Sequence, residues 1–217
     1  MKRILVLFSL IFIAGPLCAQ SPWSHRLGAG LSVPYFSLDV KDEDTNSVFA
    51  TEASVRYLAL HENGFCLTGA LGAGSSFSSD FVLEDGDKTA GGYGMALSLG
   101  AGYAFINTEK LTFAALGSVG LDWFRFAFKK EISAEGTSQT AEWTQTDNIL
   151  AFGVGLELLA MYHLSERLSL FADCAVRYID AGSVWIEGKK ISADYDRHSE
   201  IRSYVSLHPS LGVCLKF

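Results

Sequence analysis

The stretch "YGMALSLGAGYAF" (residues 93–105) decides the fold. Tyr93, Met95, Leu97, Leu99, Ala101, Tyr103 and Phe105 form one apolar face. Gly94, Ala96, Ser98, Gly100, Gly102 and Ala104 form an opposite face of small residues. A repeat of two is the signature of a β-strand with unlike faces. Nothing recurs at i, i+3 and i+4, and glycine runs through the segment, so a helix is excluded.

The same alternation recurs along the chain. It places Leu27, Ala29, Leu31, Val33 and Tyr35 on one face, and Phe49, Ala53, Val55, Tyr57 and Ala59 on another. Further runs carry Phe65, Leu67, Leu71 and Ala73, then Leu111, Phe113, Ala115, Val119, Leu121 and Trp123. Leu150 to Tyr162, Leu168 to Tyr178 and a segment from about Glu200 to Phe217 complete eight strands. Three connections are tight: "HENG" (61–64), "NTEK" (107–110) and "LSER" (164–167). Four are longer and polar, roughly 41–47, 84–91, 129–148 and 181–199. Short turns at one end and long loops at the other are the asymmetry of an outer-membrane barrel.

The wet face decides between a soluble and a membrane barrel. A soluble barrel shows Lys, Glu and Thr outside and hides its apolar face. Here the less apolar face is mostly Gly, Ala and Ser, a poor solvent surface but a workable crowded interior. Aromatics gather near strand ends. Phe65, Phe105, Phe113, Tyr162 and Phe217 lie on the turn side, and Tyr35, Tyr93, Trp123 and Tyr178 toward the loops. Two such belts are expected at the two membrane interfaces. The fold class is therefore all-β, an eight-stranded antiparallel transmembrane barrel.

The amino-terminal segment "MKRILVLFSLIFIAGPLCAQ" has a basic start, an apolar run and a small residue at Ala19. It reads as a signal peptide over residues 1–19, cleaved before Gln20, with residues 20–217 forming the barrel domain. Loss of Lys2 and Arg3 moves the formal charge from −7 to −9, which argues against nucleic acid as a partner. Cys66, Cys174 and Cys214 remain, an odd number at spacings that suit neither a disulfide framework nor a zinc site. No cofactor, metal or catalytic group is expected. His163-x-Ser165 and His208-x-Ser210 arise readily by chance, and "DVKDEDTN" (39–46) lacks the spacing of a calcium loop.

The chain ends in the same pattern, "SYVSLHPSLGVCLKF" (203–217), with an aromatic last residue. In a closed barrel the last strand must pair with the first, so its end sits at the interface. Ser210, Gly212, Leu215 and Phe217 resemble the terminal insertion signal of outer-membrane proteins. With the export signal and eight strands, the chain resembles the small barrels of the OmpX, opacity-protein and OmpW-like group, including spirochaetal versions. That resemblance implies the bacterial outer membrane as location, its lipid as surroundings, the barrel-assembly machinery as a partner for the terminal strand, and a monomer. Pro209 departs from the pattern, because it removes a ladder hydrogen bond; a local bulge is expected there.

By parity Arg26, Glu52, Arg56, Asp122, Glu157, Asp173, Arg177 and Arg202 point inward, four acids against four bases. Glu52/Arg56 and Asp173/Arg177 are each four apart on one face, and the 164–167 turn sets Glu157 opposite Cys174. A balanced interior set reads as a polar plug, because buried charge must be paired and eight strands leave just enough room for side chains. The functional expectation is a non-enzymatic surface barrel, adhesin-like, whose long loops meet host or extracellular ligands. The alternative is a narrow OmpW-like channel for small apolar molecules, slightly favoured by Phe124, Phe126 and Phe128 on the inward parity near the loop end; the same three residues fit equally an upper hydrophobic lid, or a bulge that turns them to lipid.

Overall fold

A computed structural model describes residues 22–40, 46–78, 88–133, 140–179, 182–188 and 197–217. The proposed signal peptide and residues 41–45 of the acidic segment lie outside them. Ten β-segments follow in chain order: β1 (Trp23–Ser32), β2 (Tyr35–Val40), β3 (Asn46–His61), β4 (Phe65–Ser78) and β5 (Lys88–Asn107). Then come β6 (Leu111–Ser133), β7 (Thr140–His163), β8 (Leu168–Ile179), β9 (Gly182–Gly188) and β10 (Arg197–Lys216).

These ten segments make eight strands of a closed antiparallel barrel. β1 and β2 are two halves of the first strand, since both pair with β3 on one side and β10 on the other. β8 and β9 are likewise two halves of the seventh, between β7 and β10. Leu211 closes the ring, facing Leu31 on β1 and Ala172 on β8. Closure leaves the spanning wall no open edge, the condition for carrying β-structure through lipid. No described helix is long and apolar enough to cross a membrane, which says nothing of a crossing by strands.

The alternation in sequence becomes two surfaces. Leu31, Leu156 and Leu211 are about 70% exposed (70%, 71% and 67%), an arrangement that only lipid makes favourable. From Leu150 to Tyr162 the outward residues of β7 span twelve steps, or about 30 Å of rise at ~3.3 Å per residue and ~40° tilt. That matches a hydrocarbon core of about 30 Å. Turns at the lower end are built locally. Gly64 takes φ +95°, which a side chain would resist, and its N–H donates to the His61 carbonyl at 2.9 Å.

Two expectations are corrected. The 129–148 region is not one long loop: the β6–β7 ladder continues through Lys129↔Thr144 to Ser133↔Thr140, and β9 occupies part of 181–199. Residues 129–133 and 140–146 are mostly polar or charged, so no apolar alternation marks them as strand. Nor does Pro209 make a bulge. Leu207 faces Tyr35 and Ser210 faces Ser32, three residues apart on each strand, so no residue is inserted. Instead pairing lapses at Val33–Pro34, where the Val33 N–H still reaches the Pro209 carbonyl at 3.2 Å.

Candidate functional site

The lumen is the place where this chain concentrates buried chemistry, and it is filled in three tiers. At the turn end Leu58, Leu60, Leu116, Leu159, Met161 and Phe171 pack with Cys66 and Cys214. Above this apolar tier lie the charges. At the loop end Phe36, Phe124, Ile149 and Tyr204 form a lid with essentially no exposure. Phe36 meets Phe124 edge-on at 4.6 Å between centroids and His208 at 5.0 Å.

The middle tier is held by two guanidiniums. Arg56 on β3 spans the lumen to Glu157 on β7 and to Asp173 on β8, the latter at 3.0 Å. Its Cζ also stands 5.5 Å from the centre of the Phe171 ring, a cation–π contact that ties the tier to the one below. Arg177 on β8 stands 3.8 Å from Asp122 on β6 and 3.3 Å from His208 Nε2. A side chain at Gly120 would collide with that guanidinium, so the glycine makes the room Arg177 occupies. Ser210 donates to Asp173 at 2.5 Å.

Seven of the eight inward charges, Arg26, Glu52, Arg56, Asp122, Glu157, Asp173 and Arg177, are buried inside the barrel. The side chain of Arg202 lies outside the described residues, as do those of Phe126 and Phe128. Among the described ion pairs, neither Glu52 with Arg56 nor Asp173 with Arg177, each four apart on one strand, is joined. Four residues along a strand separate Cα atoms by about 13 Å, whereas partners across a narrow lumen meet directly. Glu157 stands opposite Ala175 rather than Cys174. Arg26 leaves the charged tier altogether and donates to Ser169 at 2.7 Å, at the turn end. From Ser169 a string of polar contacts runs through His163 (2.8 Å) and Thr112 (3.0 Å) to Asn107 (3.2 Å).

Neither His-x-Ser pair assembles a nucleophile. His163 engages Ser169 and Thr112, while Ser165 caps its own turn by accepting from the Leu168 N–H. His208 contacts Ser206 at 3.0 Å and Asp122 at 4.0 Å through the same nitrogen, Nε2. A general base needs its two ring nitrogens divided between nucleophile and carboxylate.

The outer wall carries the aromatic belts. Phe105 and Phe113 stack at 6.3 Å near the turns, and Tyr93 meets Trp123 at 5.3 Å toward the loops. Phe105, Phe113, Leu31, Val33 and Leu211 border an apolar groove of about 680 Å³ that also touches Pro209 and the half-buried, unpaired thiol of Cys174. Asp173 and Ser210 border both this groove and the interior cavity.

No protein-family model matches the chain, and no curated protein matches it. Solved structures do. A major outer membrane protein from Thermus thermophilus shares 18% identity and a TM-score of 0.51, covering 87% of this chain and 99% of that one. The chain has the fold of the small outer-membrane β-barrels. The outer membrane protein OprG from Pseudomonas aeruginosa is similar at 15% identity and a TM-score of 0.52, over 89% of this chain and 95% of its own. The outer membrane protein AlkL, determined in lipid bilayers, gives 14%, 0.52, 89% and 90%.

In this barrel the terminal strand pairs on both sides, with β1 and with β8. The Phe217 N–H donates to the His25 carbonyl at 3.1 Å and its ring stacks on that imidazole at 6.2 Å. Leu215 faces lipid, and Ser210 faces the lumen. The turn-end apolar tier is absent from the sequence reading, which offers an upper lid through Phe124 but without Phe36, Ile149 or Tyr204. Leu58, Leu116, Met161, Phe171, Phe36 and Tyr204 sit on the inward parity among small and polar residues, where the outward pattern drew the eye. Their own signal was available: large apolar residues on the face otherwise reserved for Gly, Ala and Ser.

Proposed function

We propose that the protein is a non-enzymatic surface barrel of the bacterial outer membrane, exported through a cleaved signal peptide and working as a monomer in lipid. Its activity lies in the loop-side extensions of β5, β6, β7, β9 and β10, which offer interaction surface to host or extracellular ligands. The observation that carries this reading is the lumen, closed by an apolar tier, a charged tier crossed by the Arg56 ion pairs and an aromatic lid. A plugged barrel leaves the exterior as its working part. Recording the refolded protein in planar bilayers tests it: the expected result is no steady conductance, with binding to host-cell surfaces lost when residues 129–144 are replaced by a short turn.

A second reading is a narrow channel that passes small apolar molecules sideways through the wall. The groove on the outer face favours it, because Asp173 and Ser210 form a thin partition between that groove and the interior cavity. Uptake of a small hydrocarbon into vesicles carrying the barrel, without ion conductance, would select this reading over the first.

A further inference from the structure

The charge balance of the lumen is uneven at the level where it matters. Glu52, Asp122, Glu157 and Asp173 occupy the middle tier, against Arg56 and Arg177. Arg26 is spent at the turn end on Ser169. Arg202 is eight residues up β10 from Ser210, which is level with Ser32 and Glu52. Eight residues are about 26 Å of strand, beyond the reach of an arginine side chain.

Glu52 is the acid with no guanidinium within ion-pair distance among the described residues, in a tier where four acids against two arginines leave two negative charges over. It is 5% exposed, Oε2 accepts one long hydrogen bond from Ser32 at 3.4 Å, and Oε1 is buried with no hydrogen-bond partner. This side chain lines a cavity of about 40 Å³ together with Ser32, Ser54 and Ser98 and with the charged groups of Arg56, Glu157, Asp173 and Arg177. At roughly 10–15 Å³ each, such a space takes about three water-sized species. Water alone would satisfy the idle oxygen but leave the charge, and a buried uncompensated carboxylate costs several kcal/mol.

We propose that this cavity binds one small monovalent cation, held by the Glu52 carboxylate, the hydroxyl oxygens of Ser32, Ser54 and Ser98, and water. All of these are hard oxygen donors, which suit hard cations. The cavity's three carboxylates, Glu52, Glu157 and Asp173, exceed its two guanidiniums by one charge, which a single monovalent cation matches. Among the described residues no three His, Cys, Asp or Glu side chains converge as a divalent or transition metal would need. The lid and the lower apolar tier occlude the site, so the ion enters as the barrel folds and then exchanges slowly. The site is independent of whether the barrel is an adhesin or a channel.

The test is refolding the mature chain from urea into detergent in equal concentrations of sodium chloride, potassium chloride or N-methylglucamine chloride. The midpoint of heat modification is then read on gels. Sodium or potassium should raise the midpoint over N-methylglucamine by roughly 3–6 °C, the shift expected of a site filled about tenfold over its dissociation constant. Glu52→Gln should abolish that difference. Gly72→Ala should do the same by filling the space, since its Cβ would stand 2.7 Å from Glu52 Oε2. If either variant fails to fold, Ser54→Ala with Ser98→Ala, which keeps the charge but removes two ligands, must shrink the preference. Equal midpoints for the unaltered protein in all three salts, or a preference that survives every variant, overturns the proposal.

Discussion

The Arg56 guanidinium on β3 binds the Glu157 carboxylate on β7, 101 positions away in the chain and on the far side of the lumen. Asp173 takes the other arm of the same group. Arg56→Ala therefore strands two carboxylates in a crowded interior. It should destabilise the barrel by about 3–5 kcal/mol, read as a lower unfolding midpoint in denaturant. The combination Arg56→Met, Glu157→Gln and Asp173→Asn removes all three charges at similar volume and should recover most of the loss. A triple variant no more stable than Arg56→Ala would mean that the ion pairs themselves are net stabilising.

Arg177→Ala tests whether the lumen stays shut. The change exposes Asp122, which has no other arginine beside it among the described ion pairs, and stability should fall. Single-channel conductance should nevertheless stay at baseline, because Phe36, Phe124 and Tyr204 above and Phe171 and Met161 below are untouched. A conductance step in this variant would point to a gated pore.

Removing the lid alone should give the same silence. Phe36→Ala with Phe124→Ala empties the loop end and should cost about 3–5 kcal/mol for each ring. The turn-end tier still seals the lumen, so bilayer recordings should remain flat until Phe171 or Met161 is also cut back.

The terminal residue separates assembly from stability. Phe217→Ser should lower insertion into the outer membrane of living cells far more than Cys214→Ser does. It should barely change the yield of refolding in detergent, where no assembly machinery reads the strand and only one backbone bond and one ring contact to His25 are at stake. Equal losses in both settings would assign Phe217 a purely structural role.

What the sequence made legible follows from what strands demand of it. The period-two alternation over residues 93–105 and its repeats identified the spanning wall, because lipid punishes any polar residue on the outward face. The inward charges were legible by the same parity. Their partners were not, since Arg56 finds Glu157 and Asp173 through the closure of the barrel and not through spacing along β3. The upper parts of β6 and β7 and all of β9 were illegible for the opposite reason. Backbone hydrogen bonds alone make a ladder, so Ser133↔Thr140 pairs without leaving a hydropathy trace. Phe36 and Tyr204 show a third limit: each is a single large residue, and only their meeting with Phe124 makes them a lid.

The lapse of pairing at Val33–Pro34 has a kinetic consequence. The ladder that closes the ring is made of two separate zippers, Arg26–Ser32 with Ser210–Lys216 and Tyr35–Val40 with Ile201–Leu207. Pro34 and Pro209 lack the N–H groups that would make the ladder continuous there, so the single Val33 N–H to Pro209 carbonyl bond is what carries one zipper into the other. Both zippers join residues more than 150 positions apart, so closure bears a large loop-closing entropy and belongs at the end of folding. A sheet that is complete from β3 to β8 while its first and last strands hang unjoined is thus the natural waiting state of this chain.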